Sequence, residues 1–194
     1  MIESENIRLR QIEEADLPKL RDWRNSAIIR PTLRQFTLLN MINQNKWLES
    51  LYTNYMPKYA MFVIELKSNS PKGDTHHGLL VGVCGLTYIN WKEGHAEISI
   101  YIGEKNWQKR GIASEALKRL IKYGFEELRL HRLFAVIFEY NNLSIKLFKR
   151  CGFKYEGRHK EARFWDGKYW DEVIMSVLNH EYFENIKNNE KFKN

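Results

Sequence analysis

The chain has 194 residues, 43% hydrophobic and 13% aromatic, and a formal net charge of +7. That length suits one domain with a sizeable core, and that composition excludes a disordered chain. No run approaches the roughly 18 apolar residues that span a membrane, and two cysteines, Cys84 and Cys151, are too few for a disulfide scaffold or a structural zinc site. Both sit in apolar runs and read as reduced core residues of a cytoplasmic protein.

Residues 1–10 are polar and alternating, unlike a signal peptide. Residues 7–12 (IRLRQI) keep the period of two of a strand. Asp16-Leu17-Pro18 sets an N-cap ahead of a first-turn proline and opens a helix towards Trp23, which residues 25–31 break. A second helix is expected over 43–55, with Trp47, Leu48 and Leu51 on one face, and then a strand over 59–66. Residues 67–78 read as an exposed loop. It contains His76-His77, but no third ligand lies at a helpful spacing, so no metal is expected. Residues 79–90 form a long apolar strand, 91–94 a turn, and His95–Ile102 its antiparallel partner.

Over 113–128, Ala113, Ala116, Leu117, Leu120, Ile121 and Gly124 share a helical face opposite Lys118, Arg119 and Lys122. Residues 133–138 (LFAVIF) read as a buried central strand, and 143–151 as a short helix ended by Gly152. Residues 153–158 and 173–178 close the sheet. The Asn/Lys/Glu-rich end, 183–194, is expected to fray, and 1–182 to form a single domain. An antiparallel run of strands followed by two β/α units predicts an α/β (α+β) fold, a mixed sheet flanked by helices.

The charge is uneven. Residues 104–168 carry 16 basic and 8 acidic groups, against 12 and 11 over residues 1–103. Such a surplus suits a solvated surface, nucleic acid, an acidic membrane or a phosphate-rich cofactor. Gln108-Lys109-Arg110-Gly111-Ile112-Ala113-Ser114 lies between the strand His95–Ile102 and the helix that begins near Ala113. Small residues there let backbone N–H groups approach a ligand, the helix N-terminus adds partial positive charge, and Lys109 and Arg110 add full charges. A plain glycine loop ahead of a helix is the competing explanation. The segment has neither the Gly-Lys-Ser/Thr of a Walker loop nor Gly-x-Gly-x-x-Gly.

Gln108-x-x-Gly111-x-Ala113 resembles the acetyl-CoA signature of the GNAT superfamily of N-acetyltransferases. The segment from Asn141-Asn142-Leu143-Ser144 to Gly152-Phe153 resembles that superfamily's second element. Residues 166–172 (DGKYWDE) resemble its ribosomal-protein branch, and the N-terminal third resembles a branch that also includes acetyltransferases of nucleotide-linked amino sugars. The resemblance implies about seven strands splayed in a V and about four helices. It implies acetyl-CoA as co-substrate: pantetheine along Ile100, Tyr101 and Ile102, pyrophosphate on residues 108–114, and Asn141 and Ser144 at the pantetheine or thioester end.

Acetyl transfer from a thioester to an amine needs a base and a donor for the leaving thiolate, but no covalent enzyme intermediate. Glu97 is either that base or a solvent-facing strand carboxylate. His95, two residues earlier on the same face, is either a base or an exposed turn histidine. Many GNAT members have a tyrosine where this chain has Phe148, so Ser144 or water would serve the leaving sulfur. Trp23, Arg24, Arg30 and Arg34, with Trp47, are candidates for the acceptor side, or else helix packing and surface. The expected acceptor is a small-molecule amine, such as a nucleotide-linked amino sugar, or a peptide N-terminus. Neither nucleic acid nor membrane is an expected partner, and edge strands near the C-terminus leave room for a homodimer. The competing functions are a non-catalytic acetyl-CoA sensor, which Phe148 suggests, and a basic nucleic-acid-binding module.

Overall fold

The structure, a computed structural model, describes residues 2–52, 56–67 and 78–191; His76 and His77 lie outside them. In chain order the elements are β1 (Ile2–Glu3), β2 (Ile7–Gln11), α1 (Leu17–Asn25), α2 (Met41–Tyr52), β3 (Ala60–Leu66), β4 (Leu80–Asn90) and β5 (His95–Ile102). They continue with α3 (Ile112–Lys122), β6 (Arg132–Phe138), α4 (Asn142–Arg150), β7 (Lys154–Trp165), β8 (Lys168–Leu178) and α5 (Asn179–Lys191). The eight strands form one open sheet in the order β1-β2-β3-β4-β5-β6-β8-β7. β1–β2, β2–β3, β3–β4, β6–β8 and β7–β8 are antiparallel. β5 and β6 are parallel, in a register that runs only from His95–Arg132 to Glu97–Phe134. The sheet is thus the mixed, mostly antiparallel one expected, with an eighth strand. That strand, β1, is two residues long, too short to carry a period.

The residues fall into two compact units, Met1–Tyr88 with Ser99–Leu120 and Ile89–Ile98 with Ile121–Asn194. The boundaries lie inside β4, β5 and α3, so no linker composition marks them. In the first unit Leu17, Leu20 and Trp23 of α1 and Leu51 of α2 bury against Val63, Leu80 and Val83. In the second, Leu133, Ala135 and Ile137 of β6 alternate with less buried positions, and Phe148, Val173, Met175 and Val177 are buried.

Four local differences from the sequence reading have physical causes. Asp16 does not cap α1 with its side chain. Its carboxylate accepts both Nη groups of Arg10 at 2.8 Å and the Glu13 N–H at 2.9 Å, and closes the single 3-10 turn Glu14–Asp16 ahead of the helix. α3 is regular only to Lys122, and over Tyr123–Glu127 it widens to a π-turn, with Leu128 N–H bonded to Tyr123 C=O at 3.0 Å. Gly124 lies in that turn, where a Cβ would stand 3.1 Å from a methyl of Leu133. β7 and β8 extend well past the expected strands, because Asp166 (φ 52°) and Gly167 (φ 78°) form a two-residue turn between paired Trp165 and Lys168. Two successive left-handed residues match the twist of a hairpin. α5 carries the chain helically to Lys191, through most of the segment expected to fray; Glu181 in its first turn accepts the Leu178 N–H at 3.0 Å and binds Lys154.

Candidate active site

The loop after β5 is held from both ends. Gly103 and Glu104 N–H donate to Val81 C=O at 2.9 and 3.1 Å. A 3-10 turn, Lys105–Trp107, follows. The Gln108 side chain then turns back, its Nε2 donating to Ile102 C=O at 2.9 Å. Gln108 therefore braces the loop, and the Ile102 carbonyl is already engaged. Lys109 (φ 61°) and Gly111 (φ 84°) are left-handed. Alternating backbone of this kind turns N–H groups to one side and forms an anion nest. A Cβ at Gly111 would meet nothing within 4 Å, so glycine is required there by φ, not by crowding.

The first N–H of α3 to find a carbonyl four residues back is that of Glu115, bonded to Gly111 C=O at 3.0 Å. The amides before it point out along the axis. Ile112, buried, fastens the helix start to the core. Lys109 and Arg110 are exposed, and among the described residues no carboxylate pairs with either; Arg110 lies 5.1 Å from the Trp107 ring centre. The first-turn carboxylate, Glu115, faces away from the nest, accepting Ser4 Oγ at 2.6 Å, Asn6 N–H at 3.0 Å and Asn6 Nδ2 at 3.1 Å. Burial opposes its charge, but those hydrogen bonds outweigh it and hold the carboxyl below its usual range. The loop therefore presents uncancelled positive potential, which suits a phosphate group.

On β5, Glu97 is 7% exposed and is the last residue in register with β6. This excludes the solvent-facing reading. His95 is part-buried, not an exposed turn residue: its ring meets Phe134 edge-on at 5.9 Å, and its Nδ1 is sealed without a hydrogen-bond partner. Tyr101 is pushed up by burial, with Arg24 pulling part of the way back.

In the second unit Asn141 is the N-cap of α4, its Oδ1 accepting the Ser144 N–H at 3.2 Å. The Asn-x-x-Ser spacing is that of a helix cap, a signal readable from sequence. The Ser144 hydroxyl is part-buried and has no hydrogen-bond partner among the described residues. Phe148 is 3% exposed and meets Phe153 edge-on at 4.9 Å. Phe153 N–H bonds Phe148 C=O at 3.1 Å, Gly152 N–H bonds Lys149 C=O at 3.2 Å, and Gly152 is left-handed at 95°. This is a Schellman stop, in which the aromatic pair supplies the usual apolar contact. Phe148 is thus a packing residue of the helix end.

Of the acceptor candidates, Trp23 is core: 8% exposed, it lies against Gly103, where a Cβ would come within 2.0 Å of its ring, and meets Tyr101 edge-on at 6.4 Å. Arg24 is part-buried, 5.7 Å from the Trp47 ring centre and close enough to Tyr101 to perturb it. Asn25, beside them, clamps the following segment. Its Nδ2 donates to Leu39 C=O at 2.8 Å and its Oδ1 accepts Leu39 N–H at 2.9 Å. Arg30 sits in the 3-10 turn Arg30–Thr32, and Arg34 is exposed. The structure therefore joins Arg24, Trp47 and Tyr101, a grouping that strand and helix periods do not reveal.

A family model described as an acetyltransferase (GNAT) domain matches residues 6–154. An uncharacterized N-acetyltransferase, p20, of Bacillus licheniformis is 38% identical over 103 residues, which span 53% of this chain and 57% of that protein. A spermidine N(1)-acetyltransferase of Vibrio cholerae is 30% identical over 137 residues, 70% of this chain and 73% of that protein. A crystal structure of the spermidine N-acetyltransferase from Vibrio cholerae in complex with CoA and spermine has a TM-score of 0.81 at 24% identity, covering 91% of this chain and 98% of that one.

Proposed function

This chain belongs to the GNAT acetyltransferase family and is an acetyl-CoA-dependent N-acetyltransferase, and from that premise we propose how its residues divide the work. The observation that carries the proposal is the loop at 108–114. Its left-handed residues at 109 and 111, the outward amides of α3 and the exposed charges of Lys109 and Arg110 suit a pyrophosphate. Ile112, Ala113 and Ser114 supply the helix end, and Gln108 holds the loop against Ile102. The backbone of Ile100 and Tyr101, beyond the last β5–β6 pair, is available to pantetheine, while the Ile102 carbonyl stays with Gln108.

Bound acetyl-CoA supplies an acetyl group already activated as a thioester. Glu97, a buried carboxylate, takes the proton of the attacking amine, directly or through water. His95, two residues before Glu97 on β5, is the second base candidate. The Ser144 hydroxyl, unengaged among the described residues, donates a hydrogen bond to the leaving sulfur. Asn141 acts chiefly by capping α4 and so fixing Ser144. Transfer is direct, with no acyl-enzyme. The acceptor is an amine in the cytoplasm, drawn from polyamines, protein N-termini and nucleotide-linked amino sugars. Trp23 contributes packing, and Arg24, Arg30 and Arg34 are the residues proposed to meet the acceptor. Self-association as a homodimer is part of the same proposal.

Coenzyme A release, read with a thiol reagent over a panel of those amines, tests this reading. Release should depend on one amine class. It should be lost in Gly111→Glu, which forces a carboxylate and a strained φ into the nest, and should fall by about 100-fold in Glu97→Gln. Full activity in Gly111→Glu would sink the assignment of the loop.

A further inference from the structure

Arg24 lies on α1. Its guanidinium is part-buried, has the Trp47 ring 5.7 Å away, and feels the Tyr101 hydroxyl as its electrostatic neighbour. Among the described residues no carboxylate pairs with it. Other arginines of the same unit are treated differently. Arg10 is shared between Asp16 and Glu65, and Arg8 also binds Glu65. Burial draws Arg24 below the usual arginine range, and Tyr101 opposes it. A guanidinium nevertheless stays protonated at any working pH. A charge partly removed from water and left without a counter-ion is costly, and an anion placed beside it is held more strongly than in open solvent.

A second observation lies on the facing helix. Gln44, one turn before Trp47 and on the same face of α2, is 1% exposed, and neither its Nε2 nor its Oε1 has a hydrogen-bond partner. The neighbours of Arg24 are otherwise aromatic, with Trp23 edge-on to Tyr101 and Trp47 beside the guanidinium. Asn25 pins the segment that leads from α1 to α2 through both polar groups of Leu39. The segment after α1 is thus held in place beside Arg24, and among the described residues no carboxylate neutralises its charge.

We propose that Arg24 is a specificity-determining residue that binds a carboxylate or phosphate of the amine acceptor, so that the enzyme acetylates an amine borne by an anionic molecule and discriminates against polycations. The proposal rests on the transferase reading above. Arg24 offers a planar fork of N–H donors matched to either anion, and a diamine would bring like charge to the same place.

Two matched acceptor pairs test it by coenzyme A release: 1,4-diaminobutane against 4-aminobutanoate, and glucosamine against glucosamine 6-phosphate. In at least one pair the anionic member should show a kcat/KM roughly 10-fold to 100-fold above its counterpart. Which pair responds distinguishes carboxylate from phosphate. Arg24→Gln should collapse the ratio through KM more than kcat, and Arg24→Lys should restore part of it. The wild-type ratio is informative even if Arg24→Gln fails to fold. Equal values within both pairs, a diamine that outruns its partner, a ratio that survives in Arg24→Gln, or no release with any of the four despite acetyl-CoA binding would each overturn the proposal. Absence of acetyl-CoA binding, read by tryptophan fluorescence, would instead overturn the transferase reading beneath it.

Discussion

Phe148 occupies the third position from the end of α4, and its ring closes the helix stop against Phe153. The residue type fits a packing role: an apolar ring, 3% exposed, needs no hydrogen-bond partner, whereas a buried phenol does. Phe148→Tyr should lower the melting temperature without raising kcat, as thermal denaturation and steady-state rates would show; a gain in kcat would mean that a proton donor is wanted at that position. The Ser144 hydroxyl then remains the donor proposed for the leaving sulfur. Glu97 illustrates what single residues cannot disclose. Alternation put it on a strand face, but whether that face meets water depends on what covers it. His95 was equally ambiguous for the same reason, and its sealed Nδ1 follows from the neighbouring strand.

Among the elements, the start of α1 is the most dependent on charge. Burial works against the Asp16 carboxylate, but the fork of Arg10 and the Glu13 amide outweigh it and hold its pKa below the ordinary value. A depressed carboxyl pKa contributes stability that is whole above the unfolded-state pKa. It shrinks as the pH falls below that value and is gone under the folded-state pKa. Urea unfolding at neutral pH and near pH 3 should therefore show a loss in the wild type that is smaller in Asp16→Asn, and Asp16→Asn should cost about 2 kcal/mol at pH 7. Glu115 acts in the same direction, tying α3 to Ser4 and Asn6. Element types were largely legible, since β2, β3, β4 and β5 and the helices α1, α3 and α4 all carry periods or stops in their own residues. The β7–β8 hairpin is also written locally, in the Asp166-Gly167 turn, although the expected strands stop short of it. The length of α5 was not legible, because a polar helix shows little apolar period and owes its order to contacts such as Tyr182 Oη with Glu126 at 2.8 Å.

At the scale of the molecule, the basic surplus over residues 104–168 is partly consumed by the chain itself: Arg132 binds Glu156, Lys154 binds Glu181 and Arg158 binds Asp171. Among the described residues, no carboxylate consumes Lys109 or Arg110 in this way. Acetyl-CoA at 100 times its Kd should raise unfolding stability by about 2.7 kcal/mol. The accompanying rise in melting temperature should shrink with added salt, because these two charges are exposed, and should vanish in Gly111→Glu; a rise insensitive to both would place cofactor binding elsewhere. The sequence by itself determined most of the elements, though not β1 or the length of α5, together with the loop between β5 and α3 and the membership that its motifs imply, because turn, cap and phosphate-loop chemistry are written in residues close along the chain. Tertiary structure alone decided that Trp23 is core, that Glu97 is buried, that Gln108 braces the loop, and that Arg24, beside Trp47 and Tyr101, has no carboxylate partner among the described residues. Except for Gln108, whose partner Ile102 is six residues away, those facts depend on residues far apart in sequence, and burial and charge pairing are properties of the packed neighbours, not of the residue that carries them.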